Sequence, residues 1–144
     1  MAEIGLEVPR DFIVAGDHTM EGGMSALTKL IELADRPTGV LCSNDMTAIG
    51  VMREAYDCGI AVPQELSVVG FDDIRLAQFT IPPLTTVQMS QKMIAEYAFR
   101  SLISEVEQPH SSGGREHELM TNLILRRATA LARTGRKPEP KAQS

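Results

Sequence analysis

Two polar pairs, each directly after a short apolar run, are the residues of this chain best suited to bind or transform a small molecule. Asn44-Asp45 follows the run at 40–42, and Asp72-Asp73 follows the run at 68–71. A carboxylate accepts hydrogen bonds from hydroxyl or amine groups, and a side-chain amide both donates and accepts them. The pairs could therefore hold a polar ligand, and Asp72-Asp73 could also imitate the paired carboxylates of acid/base catalysis.

The apolar runs are typical of buried parallel strands, because they are short and alternate with helical patterns. We predict strands at 39–43 and 66–71 and, between them, a helix at 44–57 that ends at Gly59. Ligands of open α/β sheets bind just beyond the carboxyl ends of the strands. Both polar pairs should therefore lie at one edge of one sheet, as a candidate small-molecule site.

The remaining segments continue the alternation and give an α/β fold with a parallel sheet, flanking helices and right-handed crossovers. The end of a helix and a turn occupy 1–8, and a loop rich in proline, serine and glycine spans 108–114. We predict further strands at 12–15 and 85–87, helices at 20–34 and 89–107, and a final strand pair or one broken strand at 117–130.

Composition and charge favour a single soluble domain that does not itself bind nucleic acid. The 144 residues suffice for one core, and the net charge is −5. Residues 1–114 hold 7 basic and 16 acidic side chains, which argues against a nucleic-acid surface. The end of the chain is basic, and we expect its cations to be solvated: Arg126, Arg127, Arg133, Arg136, Lys137 and Lys141.

The same sequence favours a cytoplasmic protein. It contains no apolar run of about 20 residues that could span a bilayer and no apparent signal peptide. Cys42 and Cys58 are the only cysteines, which suits reduced thiols better than a disulfide framework.

Enzyme activity is the least favoured function. The sequence has no nucleophile elbow and no glycine-rich phosphate loop. Its three histidines, His18, His110 and His117, are scattered, so no metal-ligand cluster is evident. We therefore expect no catalytic residues, no metal and no cofactor.

An ordered set of segments resembles the effector-binding core of bacterial transcription regulators of the LacI/GalR family. The matches cover about residues 1–130 in order, and individually they are weak. They are Gly16-Asp17-His18-Thr19, Pro37-Thr38-Gly39-Val40, Asn44-Asp45-Met46, Ala48-Ile49-Gly50, Gly59-Ile60-Ala61-Val62-Pro63, Leu66-Ser67-Val68-Val69-Gly70-Phe71-Asp72-Asp73 and Pro82-Pro83-Leu84-Thr85-Thr86-Val87.

The resemblance implies a type I periplasmic-binding-protein-like fold, in which two lobes close around a sugar or other small metabolite. It also implies an N-terminal helix-turn-helix that binds operator DNA, and a core that forms homodimers. The match begins inside the second lobe, so we expect a truncated form: a C-terminal lobe at 1–133, a disordered tail at 134–144 and no DNA-binding module. Helix 89–107 would belong to the missing lobe.

Four positions match places where the family contacts its effector: Asp72, Asn44, His18 and Met89. The structural alternatives are a turn aspartate at Asp72, a helix N-cap at Asn44 and an ordinary loop residue at His18. If Ser43 or Asp45 caps the helix, Asn44 is free to bind. Met89 would make its wall of the pocket apolar, and strand alternation directs the neighbouring Gln88 to the other face.

Five further positions match the region where relatives pair their second lobes: Ile49, Met52, Arg53, Phe79 and Ile81. Core packing is the alternative, and for Ile49 and Met52 we favour the interface. Without its own lobe, helix 89–107 would expose an apolar stripe and pack on this lobe or on another protomer. The expected function is effector sensing in a transcription regulator, and the alternative is a sugar-binding protein of a transport system.

Overall fold

A four-stranded sheet in the order β1-β2-β3-β4 forms the centre of the molecule. The structure is a computed structural model that describes residues 8–107 and 116–132. The strands are β1 (Gly39–Leu41), β2 (Ser67–Phe71), β3 (Thr85–Gln88) and β4 (Asn122–Ile124). The first three are parallel, and β4 runs antiparallel to β3. The predicted α/β class and parallel sheet are confirmed, with one antiparallel strand at the edge.

Three helices accompany the sheet: α1 (Met20–Ile31), α2 (Asp45–Asp57) and α3 (Gln91–Glu107). Thr19 caps α1 by accepting a hydrogen bond from the Gly22 amide. Gly59 follows α2 with a φ of 70°, the left-handed conformation predicted for it. All three helices were predicted, with ends that differ by up to three residues.

The strand predicted at 12–15 was wrong. The chain forms a short 3-10 turn at Arg10–Phe12 and then runs without regular structure to Asp17. Ile13 is 70% exposed, and although Val14 packs against the core, the run pairs with none of the four strands of the sheet. A four-residue run cannot form a strand without a partner to complete its backbone hydrogen bonds.

The hydrophobic core lies where α1 packs on α2 and α2 packs on β2. Its fully buried side chains include Leu27 from α1, Val51 from α2, Val68 from β2 and Leu84 ahead of β3. Ala128, beyond β4, closes the core, and its carbonyl accepts a hydrogen bond from the Val68 amide. The segment after β4 therefore completes the core.

Helix α3 contributes nothing to this core. None of its seventeen residues is buried, and Leu102 and Val106 are strongly exposed. Its best-defined contact is the Tyr97 ring, which stacks on the His117 ring with a centroid separation of 4.7 Å. The exposed apolar stripe predicted for this helix is present, whereas packing onto this lobe is absent from the described residues.

Both cysteines are free thiols. Cys42 is buried and Cys58 is exposed. Burial raises the pKa of the Cys42 thiol to about 12, so this group stays protonated at physiological pH. No helix in the described part of the chain is long and apolar enough to cross a membrane. The predictions for 1–7, for the 108–114 loop and for the tail lie outside the described residues.

Candidate functional site

The carboxyl ends of β1, β2 and β3 lie side by side and carry the predicted site residues. Asn44 follows β1, Asp72 follows β2 and Met89 follows β3. Because the three strands are parallel neighbours, these residues share one edge of the sheet. Met89 is partly buried there, and the adjacent Gln88 is exposed.

Asn44 is the N-cap of α2. Its Oδ1 accepts a hydrogen bond from the Thr47 amide at 2.8 Å, and its Nδ2 donates to the His18 carbonyl at 3.0 Å. The structural alternative named for Asn44, a helix N-cap, is therefore present, and neither Ser43 nor Asp45 takes that position. The capping amide retains one N–H and one lone pair with which it can still meet a ligand.

His18 lies beside Asn44 at this edge. Its backbone has a φ of 63°, which is uncommon for a residue other than glycine. Its Nδ1 is 3.2 Å from the Ser43 hydroxyl, and the side chain is exposed. The structure thus brings His18 and Asn44 together across 26 positions of sequence.

Asp72 and Asp73 have different surroundings although they are adjacent. The Asp72 amide donates to the Val87 carbonyl at 2.9 Å, and its carboxylate accepts no hydrogen bond from the described residues. The Asp73 carboxylate accepts from Arg126 Nη2 at 2.6 Å and from Gln88 Nε2 at 2.7 Å. Asp73 is therefore structural, and Asp72 is the carboxylate that can meet a ligand.

Asp45 is completely buried beneath the same edge. Its Oδ1 accepts from the Thr86 hydroxyl at 2.5 Å and its Oδ2 from the Ile74 amide at 2.8 Å. Gly70 leaves room for it, because a Cβ at that position would overlap Asp45 Oδ1. Burial raises the pKa of the Asp45 carboxyl, and the two hydrogen bonds oppose that shift in part. The mainly structural role predicted for Asp45 is supported by these contacts.

Arg126 is the one residue of this neighbourhood that sequence reasoning misplaced. We expected a solvated cation of the basic chain end, whereas its side chain is 19% exposed and paired with Asp73. The two residues are 53 positions apart, and nothing in either local pattern links them. The predicted extension of the C-terminal lobe to residue 133 was the only available signal.

The predicted dimer residues divide between surface and core. Ile81 and Phe79 are 96% and 63% exposed, and Arg53 is an exposed partner of Asp57. Ile49 is partly buried. Met52 is 8% exposed and belongs to the core of this chain, so core packing explains it better than an interface. The dimer itself stays a prediction.

The described residues include no group of three or more histidine, cysteine, aspartate or glutamate side chains that could hold a metal ion. The site is instead a set of hydrogen-bonding groups: one available carboxylate, one partly available amide and one imidazole. Such a set is suited to hydroxyl and amine groups of a small molecule.

Comparison with known proteins gives consistent matches along the chain. The profile of the periplasmic binding protein-like domain matches residues 1–129. The ribose operon repressor of Escherichia coli strain K12 is 35% identical over 130 residues, which cover 90% of this chain and 39% of the repressor. The HTH-type transcriptional repressor CytR of the same strain is 36% identical over 125 residues, or 87% of this chain and 36% of CytR.

A solved structure also matches. A LacI-family transcriptional regulator from Lactobacillus casei with bound sucrose superposes with a TM-score of 0.73 at 27% identity, over 90% of this chain and 47% of that one. The chain spans about two fifths of the length of the curated relatives that it matches.

Proposed function

Because this chain belongs to the periplasmic binding protein-like family, as part of the effector domain of LacI-type transcription regulators, we propose that it binds a small polar effector. The observation that carries the proposal is the Asp72 carboxylate, which lies at the carboxyl edge of the sheet with no partner among the described residues. An ionised group in that position is stabilised by a ligand that donates hydrogen bonds.

Neighbouring groups support the same function. Asn44 lies on the adjacent strand end, and His18 is held next to it by their shared hydrogen bond. Met89 adds an apolar side chain to the edge. Carboxylate, amide, imidazole and apolar surface together suit a polyhydroxylated molecule, and we propose a carbohydrate. The sucrose held by the Lactobacillus casei regulator is consistent with that class.

The site is half of a pocket in this proposal. The second wall would come from the other lobe of a two-lobed effector domain, to which we assign α3 because none of its residues is buried here. In the whole regulator, ligand-dependent closure of the lobes would change the affinity of a separate N-terminal module for operator DNA. We place that regulator in the cytoplasm, where its operator would be.

The chain itself is not proposed to bind DNA or to catalyse a reaction. Its relatives are transcriptional repressors rather than enzymes. A transport protein would need the same pocket, and the repressors among the relatives favour the regulatory function.

A thermal-shift titration tests the proposal. We would use this chain and a longer version that includes the second lobe, with D-ribose, sucrose, cellobiose and adenine as probes. A bound probe at 100 times its Kd stabilises by about 2.7 kcal/mol, which raises Tm by several degrees. We expect at least one of the three sugars to raise the Tm of the longer protein, and Asp72→Asn to abolish the shift, whereas a shift with adenine alone would contradict the carbohydrate.

The Asp72→Asn variant is a stringent control because asparagine tolerates positive φ and keeps the size of the side chain. A probe that raises Tm equally in the variant and the wild type would contradict the assigned carboxylate. If none of the three sugars raises the Tm of the longer protein, the proposed ligand class is wrong.

A further inference from the structure

We propose that Arg126 is a positioning residue of the ligand site, which holds the turn that presents Asp72 by pairing with Asp73. The inference rests on the proposed function, because it names a residue that shapes the same site. It adds a role for the segment after β4 that neither the family match nor the sequence pattern assigns.

The turn after β2 has an unusual backbone. Asp72 and Asp73 have φ values of 110° and 55°, so two consecutive residues other than glycine adopt positive φ. Such conformations cost free energy and persist only where surrounding contacts enforce them. An exposed loop without anchors would relax to a more common conformation. Contacts outside the turn must therefore hold it.

Arg126 makes the principal contacts of this kind. Its Nη2 donates to Asp73 Oδ1 at 2.6 Å, and its Nη1 donates to the Leu84 carbonyl at 2.9 Å. The guanidinium thus links the turn to the residue directly ahead of β3. The backbone amide of Arg126 also donates to the Thr85 hydroxyl at 3.1 Å, which fixes the base of the side chain.

The ion pair between Arg126 and Asp73 is shielded from solvent. The side chains are 19% and 13% exposed, so water competes weakly for their hydrogen bonds. Gln88 Nε2 occupies the second oxygen of Asp73 at 2.7 Å. Removing the guanidinium would leave a largely buried carboxylate with one partner, which favours reorganisation of the turn.

A second anchor acts on the other side of the turn. The Ile74 amide donates to the buried Asp45 at 2.8 Å, and the Asp73 amide lies 3.4 Å from the Thr86 hydroxyl that Asp45 also binds. Asp73 and Ile74 are therefore held through side chains, while the carboxylate of Asp72 is left for a ligand. The geometry preorganises that carboxylate, so binding need not order it.

Amide hydrogen exchange followed by NMR tests the hold of Arg126 on the turn without any ligand. In Arg126→Ala we expect exchange at Asp72, Asp73 and Ile74 to accelerate by about 10-fold or more relative to amides of β1 and β2. Arg126→Lys keeps the charge but cannot bind Asp73 and the Leu84 carbonyl in the same way, so it should restore part of the protection of these amides from exchange.

Two control variants separate positioning from general stability. Arg127→Ala removes the neighbouring, exposed arginine and should leave the turn unchanged. Val68→Ala destabilises the core, so it should accelerate core amides together rather than the turn selectively. Uniform acceleration in Arg126→Ala, or none at all, would overturn the inference.

The affinity for a probe gives the second readout. We would titrate the longer protein with whichever of D-ribose, sucrose, cellobiose and adenine binds most tightly, and expect Arg126→Ala to raise Kd about 10- to 100-fold while Val68→Ala leaves it near the wild-type value. Equal Kd values in Arg126→Ala and the wild type would refute positioning. If the wild type binds no probe, the proposed function fails, and the exchange result still decides whether Arg126 holds the turn.

Discussion

Three aspartates at one edge of the sheet differ in what surrounds their carboxylates, and those surroundings assign their roles. Asp45 is buried with two hydrogen-bond donors, Asp73 is paired with Arg126 and Gln88, and Asp72 has no partner among the described residues. The first two hold the chain in place, and their hydrogen-bonding capacity is used. The third retains its capacity, which a ligand can use.

The buried Asp45 predicts a pH dependence of stability. Burial raises its pKa in the folded state above the ordinary value of 3.8. The folded chain therefore keeps this proton to higher pH than the unfolded chain. The contribution of Asp45 to the stability of the fold is greatest below about pH 4 and is lost as the pH rises through the pKa of the folded state. An asparagine does not titrate, and its amide repeats the donor and acceptor pattern of the protonated acid.

We expect the free energy of unfolding of Asp45→Asn to lie within about 1 kcal/mol of the wild-type value near pH 4. As the pH rises toward 7, the variant should become more stable relative to the wild type. Urea unfolding at a series of pH values measures the difference in the free energy of unfolding. The exposed Asp35→Asn variant corrects for the loss of a negative charge. If the wild type instead becomes more stable relative to Asp45→Asn as the pH rises, the raised pKa of Asp45 is contradicted.

At the scale of elements, the close approach of α1 and α2 depends on two glycines. A Cβ at Gly23 would overlap the Thr47 carbonyl oxygen, and a Cβ at Gly50 would overlap the Met20 carbonyl oxygen. Each helix thus has a glycine, without a side chain, where it contacts the backbone of the other. Helix propensity alone says only that the glycines at 22 and 23 weaken the first turn of α1. Their different surroundings became visible once the helices were placed.

Gly50→Ala should therefore destabilise the fold, although alanine is the better helix former. The clash involves backbone atoms that cannot rotate away, and overpacking of this kind costs about 1–3 kcal/mol. Gly22→Ala is the matched control, because its Cβ would meet only the movable end of the Asp17 side chain. Thermal or urea unfolding compares the variants, and equal stability of Gly50→Ala and the wild type would refute the close contact.

At the scale of the whole molecule, local patterns predicted the strands and helices better than the contacts between distant segments. The runs at 40–42 and 68–71 could be assigned because buried strands need continuous apolar residues. The run at 12–15 looked similar but has no strand beside it. The pairing of Asp73 with Arg126 depends on the packed geometry, which no local pattern contains, whereas the N-cap at Asn44 was one of the readings that the local pattern offered.

The surface next to β3 predicts how two copies of the chain associate. Ile81 and Phe79 are exposed apolar side chains close together in sequence, and both were predicted for the dimer interface. We predict that the chain forms a two-fold dimer through this surface. A two-fold interface repeats each substitution across its axis, so one lysine per chain places two charges in an apolar contact.

Sedimentation velocity should give a species of twice 15.7 kDa for the wild type and of 15.7 kDa for Ile81→Lys. Because Ile81 is 96% exposed in the single chain, the substitution should change the free energy of unfolding of the monomer by no more than about 0.5 kcal/mol. Ile13→Lys, at another exposed isoleucine, should leave the dimer intact. A monomeric wild type, or a dimer that persists in Ile81→Lys, would show that this surface does not pair the chains.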